Sequence, residues 1–150
     1  MTYELDDNRE RLDLDVVWNF LSSDAYWNRW RCREDVEIQF RSAWRVIGAY
    51  VQGSDDLVGF ARAVSDGVSD AYLADVYVAA PHRGRGIGGR IVEAMVEQGV
   101  GARFRWFLST RDGHGLYARY GFVPPDERVM ERPGRFVRNV DDSSPVILEI

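Results

Sequence analysis

Residues 81–90 read Pro81-His82-Arg83-Gly84-Arg85-Gly86-Ile87-Gly88-Gly89-Arg90. Four glycines within six residues let the backbone curl with its N–H groups turned to one side, and let a ligand approach the main chain closely. The apolar spacing of Ile87, Ile91, Val92, Met95 and Val96 predicts a helix over 86–99, so the segment also offers unpaired N–H donors and the positive end of a helix dipole. Arg83, Arg85 and Arg90 add charge for the same ligand. Glycines alone would serve a simple turn. Glycines interleaved with arginines at a strand-to-helix switch point to a phosphate or pyrophosphate site.

Two patterns overlap in this segment. Gly84-x-Gly86-x-x-Gly89 matches the dinucleotide fingerprint, with Asp112 as a distant candidate for its acidic ribose partner. Arg83-x-x-Gly86-x-Gly88 is the second pattern. A doubly wound dinucleotide fold normally opens with its phosphate-binding strand, whereas here about 70 residues of other structure precede it.

The elements that must position this loop follow from periodicity. Residues 12–21 carry apolar side chains at helical spacing, with Asp13 or Asp15 as cap. Residues 34–44 place Val36, Phe40, Ala43 and Trp44 on one helical face. Stretches 46–51 and 57–64 predict a hairpin through the polar turn 52–56, and 65–70 forms a second turn. Residues 71–78 alternate little and predict a central strand that Pro81 ends. A strand over 104–109 and a short helix over 113–120, closed by Gly121, come next. Phe122 and Val123 start a strand that Pro124 and Pro125 interrupt, and 145–150 suggests a closing strand. Antiparallel strands followed by strand, helix, strand, helix, strand predict a mixed α/β sheet.

The stretch Leu73-Ala74-Asp75-Val76-Tyr77-Val78-Ala79-Ala80-Pro81-His82-Arg83-Gly84-Arg85-Gly86-Ile87-Gly88 resembles the cofactor strand and loop of the GNAT superfamily of N-acetyltransferases. A second motif, Gly115-Leu116-Tyr117-Ala118-Arg119-Tyr120-Gly121-Phe122, resembles that family's late helix with its Tyr-x-x-x-Gly-Phe ending. The resemblance covers roughly residues 46–122. It implies one acyl-CoA-binding acetyltransferase domain over 1–150, built on a mostly antiparallel central sheet flanked by helices and splayed between two central parallel strands. It also implies acetyl-CoA as co-substrate and direct attack of a primary amine on the thioester.

Carried over residue by residue, the resemblance places the pantetheine arm against backbone groups of Val76, Tyr77 and Val78. The pyrophosphate then lies on Arg83, Gly84, Arg85, Gly86, Ile87, Gly88 and Gly89, with Thr110 at the end of the splayed strand. Tyr117 takes the role of general acid for the departing thiolate; a phenol of pKa near ~10 keeps its proton at neutral pH. The family's cofactor-strand glutamate has no counterpart, since Tyr72 and Ala74 stand at the corresponding positions. Asp75 is the acid available on that strand, and alternation puts it on the face opposite Ala74 and Val76. It is a candidate to bind a substrate amine, activate water or tie down a neighbouring loop. His114, one helical turn before Tyr117, is the other candidate base. Asp112 is read as a helix cap and Tyr120 as core. A non-catalytic acyl-CoA sensor is the alternative reading that the missing glutamate keeps open.

The first helices of such a fold roof the acceptor pocket. Trp18, Tyr26, Trp27, Trp30 and Trp44 fall there, interleaved with Arg29, Arg31 and Arg33. Trp18 and Trp44 sit at core spacing, whereas Tyr26, Trp27 and Trp30 are candidate substrate contacts. The 150 residues are 45% hydrophobic and 29% charged, which suits one globular domain. A net charge of -5 argues against a nucleic-acid partner. One cysteine, Cys32, and two distant histidines leave neither a disulfide framework nor a metal site. With no signal or membrane segment in view, a cytoplasmic protein is expected, its partner an amine acceptor of unassigned identity. An exposed C-terminal strand offers a route to a homodimer.

Overall fold

A computed structural model describes residues 1–28, 30–137 and 145–146. Five strands form one sheet in the order β1-β2-β3-β4-β5: β1 (Tyr3–Asp6), β2 (Arg45–Val51), β3 (Leu57–Ser65), β4 (Asp70–Val78) and β5 (Arg105–Phe107). The first four are antiparallel neighbours, and β4 pairs with β5 in parallel. The mixed, mostly antiparallel sheet is the one expected. β4 is interior, while β5 lies at the edge of the five strands. A separate pair, β6 (Phe136–Val137) with β7 (Pro145–Val146), is antiparallel. The rest of the expected 145–150 strand, and with it the suggested dimer edge, lies outside the described residues.

Helices cover both faces of the sheet. α1 (Leu14–Ser23) and α2 (Arg33–Ser42) bury Val17, Leu21, Val36 and Phe40 against Val46, Tyr50, Phe60 and Tyr77. On the opposite face α3 (Ile87–Glu97) buries Ile87, Ile91, Val92 and Met95 against Ile47, Ala49, Ala61 and Leu73. Because both faces are covered, β2 and β3 read as near-continuous apolar runs. Each fully buried aliphatic side chain contributes about 1.5–3 kcal/mol. Asp13 caps α1 by accepting from the N–H groups of Asp15 and Val16. Asp35 reaches back to the Cys32 N–H at the start of α2.

Three elements differ from the sequence expectation. β1 is unexpected: Tyr3 and Leu5 alternate with Glu4 and Asp6 over only four residues of an acidic stretch, and its ladder to residues 48–51 of β2 makes it a strand. Trp44 lies beyond α2 and packs at its ring on Phe104, with centroids 5.0 Å apart. Phe122 and Val123 form no strand. Phe122 instead meets the Tyr117 ring edge-on at 5.8 Å, and its N–H donates to the Tyr117 carbonyl.

Candidate active site

The parallel ladder between β4 and β5 joins Asp70 to Arg105, Ala71 to Trp106 and Tyr72 to Phe107, and ends there. Beyond it the strands part. A cavity of about 120 Å³ opens between Leu73–Val76 on one side and Leu108–Thr110 on the other. Tyr26 and Trp27, from the α1–α2 connection, and Leu116 and Tyr117, from α4 (His114–Ala118), complete its walls. Separated strands leave main-chain donors and acceptors that a peptide-like ligand can pair.

A bulge shapes β4 beside this cavity. Phe60 faces Tyr77 and Arg62 faces Ala74, so one β3 residue stands opposite both Asp75 and Val76. Asp75 has φ +52°, a left-handed conformation that few non-glycine residues adopt. The bulge breaks the alternation assumed from sequence: Leu73, Ala74, Asp75 and Val76 all reach the cavity wall. The expectation that Asp75 faces away from Val76 holds, since Val76 packs on the α3 side; it fails for Ala74, the register partner of Arg62, whose face the Asp75 side chain shares.

The Asp75 carboxylate is 2% exposed and fully engaged. Oδ1 accepts from Trp27 Nε1 and Arg31 Nη2, each at 2.7 Å. Oδ2 accepts from Arg31 Nη1 and Arg62 Nε, also at 2.7 Å. Burial pushes its pKa up, but the hydrogen bonds and charges of Arg31 and Arg62 outweigh this and hold it down at about 2. Such a carboxylate is a poor proton acceptor at neutral pH. Its geometry matches the third option raised from sequence, the tying down of a loop.

Tyr117 reaches the cavity because Gly113 permits it. A Cβ at position 113 would stand 2.9 Å from Tyr117 Cε2 and 2.8 Å from Thr110 Oγ1. Thr110 Oγ1 accepts from the Gly113 N–H at 2.9 Å, so Thr110 rather than Asp112 secures this turn. Asp112 lines the cavity rim and caps nothing. Burial pushes the Tyr117 phenol up to about 12, with Tyr26 and Asp112 adding to the shift. His114 is exposed and does not line the cavity.

The glycine-rich loop connects β4 to α3. Gly84 and Gly86 have φ near +76° and +79°, and a Cβ on either would meet nothing within 4 Å. These two glycines serve backbone conformation and leave open space for a ligand. Gly86 caps α3, whose first turn is Ile87, Gly88 and Gly89. Gly89 has a different reason: a Cβ there would stand 2.8 Å from Tyr120 Oη. The third glycine of the dinucleotide fingerprint thus serves packing between α3 and α4. The antiparallel opening of the sheet also differs from a doubly wound fold, so the dinucleotide alternative fails on architecture.

The loop arginines are spread over different partners. Arg83 donates from Nε to the Val78 carbonyl at 2.8 Å and from Nη2 to Asp24 at 2.5 Å. Arg90 donates to the Tyr3 carbonyl at 3.1 Å, and with Arg85 it borders an open depression beside Met1 and Gln52. Tyr77 turns its ring into the α1–α2 side, stacked on Phe60, and its hydroxyl donates to Asp24 at 2.9 Å.

Of the aromatic candidates, Tyr26 and Trp27 line the cavity and meet edge-to-face at 5.0 Å. Arg111 lies 3.8 Å over the Tyr26 ring. Trp30 lies beside the Arg31 guanidinium, 5.8 Å from it, and is not part of the cavity wall. Trp18 packs on the α1–α2 core, as its spacing predicts. Arg29 lies outside the described residues.

The model of the acetyltransferase (GNAT) domain family matches residues 43–124. A solved structure from Xanthomonas campestris pv. campestris, described as an acetyltransferase of the GNAT family, is 33% identical with a TM-score of 0.80; the match covers 88% of this chain and 93% of that one. An acetyltransferase structure from Deinococcus radiodurans R1 is similar at 20% identity and TM-score 0.67, covering 87% and 88% of the two chains. An aminoglycoside acetyltransferase from an uncultured soil metagenomic sample is similar at 18% identity and TM-score 0.61, covering 89% and 99%. The last two show the shared fold. A comparison with curated protein sequences finds no match.

Proposed function

The chain belongs to the GNAT acetyltransferase family, and from that premise we propose that residues 1–150 form one unit that transfers the acetyl group of acetyl-CoA to an amine. The observation that carries this reading is the gap between β4 and β5, with Tyr117 on one wall and the unpaired edge of β4 on the other.

The residues present fit acetyl-CoA. The open β4 edge at Val76, and the Val78 carbonyl once Arg83 Nε releases it, suits the amides of a pantetheine arm. The left-handed glycines 84 and 86 and the first turn of α3 suit a pyrophosphate. Arg85 and Arg90 add positive charge near that turn. The thioester then lies in the cavity, with the acceptor entering past the paired rings of Tyr26 and Trp27.

Transfer needs a neutral amine, a stabilised oxyanion and a proton for the thiolate. Tyr117 supplies the proton, because its raised pKa keeps the phenol protonated throughout the neutral range. Main-chain N–H groups on the open β4 edge are the available oxyanion donors. Asp75 holds Trp27 and the Arg31 segment against β4 and does not act as the base.

The experiment is thermal melting of the protein with acetyl-CoA, CoA and NADPH in parallel. A ligand that binds only the folded chain raises the melting temperature by mass action. Shifts with the two CoA species and none with NADPH are expected; the reverse pattern would overturn the reading.

A further inference from the structure

The side chains of the cavity wall that can carry charge are Asp75, Asp112, Tyr26 and Tyr117. Asp75 is fully engaged, its two oxygens taking hydrogen bonds from Trp27, Arg31 and Arg62. Both arginines stand behind it and form no part of the wall. Asp112 differs. It lies exposed at the mouth, caps nothing, and among the described residues no donor meets its carboxylate. The rest of the buried and half-buried wall is neutral: Leu73, Val76, Leu108 and Leu116 with the Tyr117 phenol.

The charge of Asp112 is felt inside. Among the groups that raise the Tyr117 phenol, Asp112 follows burial and Tyr26, and no arginine lowers it. Arg111 is the positive group beside the mouth. Its guanidinium lies 3.8 Å over the Tyr26 ring, outside the wall, and it forms no ion pair with Asp112. That contact also shows that the aromatic rim accepts a cation. Asp24 is engaged by Arg83, and His114 is exposed outside the cavity.

The cavity thus asks two different things of an acceptor. The nitrogen that attacks must be neutral, and it meets a neutral wall beside Tyr117. A group left at the mouth meets a carboxylate that lacks a partner. We propose that Asp112 selects acceptors with a second positive group, a diamine or polyamine whose neutral nitrogen attacks inside while an ammonium a few carbons away rests on Asp112. The C–N bond forms and the C–S bond breaks; the thiolate takes the Tyr117 proton, and the surplus proton on nitrogen restores the phenol. Asp112 acts on selection and takes no proton in this scheme. The inference rests on the acetyl-transfer reading.

The test measures thiol release from acetyl-CoA with three amines of equal length that differ at the far end: diaminobutane, butylamine and γ-aminobutyrate. The values of kcat/KM should fall in that order. Asp112→Asn should slow diaminobutane about five- to tenfold more than butylamine, an effect between that of an exposed ion pair and that of a charge-assisted hydrogen bond. The second amine of diaminobutane and its basicity are the same for both proteins, so they cancel in this comparison. Glycinamide, a monoamine less basic than butylamine, should respond to the substitution as butylamine does. Asp112→Glu keeps the charge and should recover part of the diaminobutane advantage. Should neither variant fold, salt decides, because added salt should erode that advantage in the unaltered chain.

Equal slowing of diaminobutane and butylamine in a folded Asp112→Asn chain overturns the proposal, as does an advantage indifferent to salt. Fastest release with γ-aminobutyrate also overturns it and gives the mouth to Arg111. So does turnover with none of these amines while acetyl-CoA still raises the melting temperature. Failure of acetyl-CoA to raise it overturns the acetyl-transfer reading beneath.

Discussion

Arg83 and Asp24 are joined at 2.5 Å, so the glycine-rich loop is tied to the C-terminal end of α1 through a single carboxylate that Tyr77 also holds. Tyr77 and Arg83 both hold the Asp24 pKa below the usual carboxylate value. A pyrophosphate that recruits Arg83 must compete with Asp24. Asp24→Asn should therefore tighten CoA binding. Both partners of the ion pair are substantially exposed, and such pairs are worth about 0–1 kcal/mol, so the gain should be about fivefold at most. Titration calorimetry with CoA measures it; weaker binding would show that Asp24 organises the loop instead of competing for it.

Two glycines of the loop, Gly86 and Gly89, should respond differently to alanine. At Gly86 the cost is the left-handed backbone, about 1–2 kcal/mol, with no clash. At Gly89 the added methyl meets Tyr120 Oη, and overpacking of this kind costs about 1–3 kcal/mol. Gly89→Ala combined with Tyr120→Phe should recover part of that loss, whereas Gly86→Ala gains nothing from the same partner. Denaturant unfolding of the single and double variants checks this as a cycle.

Much of this was legible in the sequence, for identifiable reasons. The register of α3 followed from Ile87, Ile91, Val92 and Met95, because a helix against a sheet buries one stripe. Tyr117 followed from a motif whose spacing is local. Asp75 was legible as a residue and not as a geometry. Its left-handed φ and its bulge come with side-chain contacts to Arg31 and Arg62, which are 44 and 13 residues away in sequence. Thr110 was expected at the cofactor and Asp112 at the cap, yet Thr110 closes the turn, because only the folded path of 108–113 decides which oxygen meets the Gly113 N–H.

Acid should unfold the chain through Asp75. Its folded pKa of about 2 lies below its ordinary value of 3.8, so the stability it contributes is present above 3.8 and is lost as pH falls toward 2. The loss corresponds to about 2 kcal/mol for a shift of this size. Asp75→Ala should cost about 3–5 kcal/mol at neutral pH, because it leaves two buried guanidiniums without their anion. Melting curves across the acid range check both statements, and a variant as stable as the parent would contradict them.

Alkali should act through the buried phenols. Burial raises Tyr50, Tyr77 and Tyr117 from 10 to about 12, so the stability they contribute is present below pH 10 and is lost as pH rises toward 12. Phenolate absorbance should show these three titrating late and together with unfolding. Titration of all the tyrosines near 10 in a folded chain would contradict this.

The central claim is that Tyr117 protonates the thiolate leaving acetyl-CoA, and the most direct measurement is thiol release by Tyr117→Phe with glycinamide as acceptor. Tyr117 keeps its ring contact with Phe122 in that variant, so the fold and CoA binding should hold. Loss of a positioned general acid should lower kcat by about 10²–10⁴ with little change in the concentration of acetyl-CoA needed for half-saturation. An unchanged kcat in a folded variant that still binds CoA would contradict the assignment and favour a chain that binds acyl-CoA without acting on it.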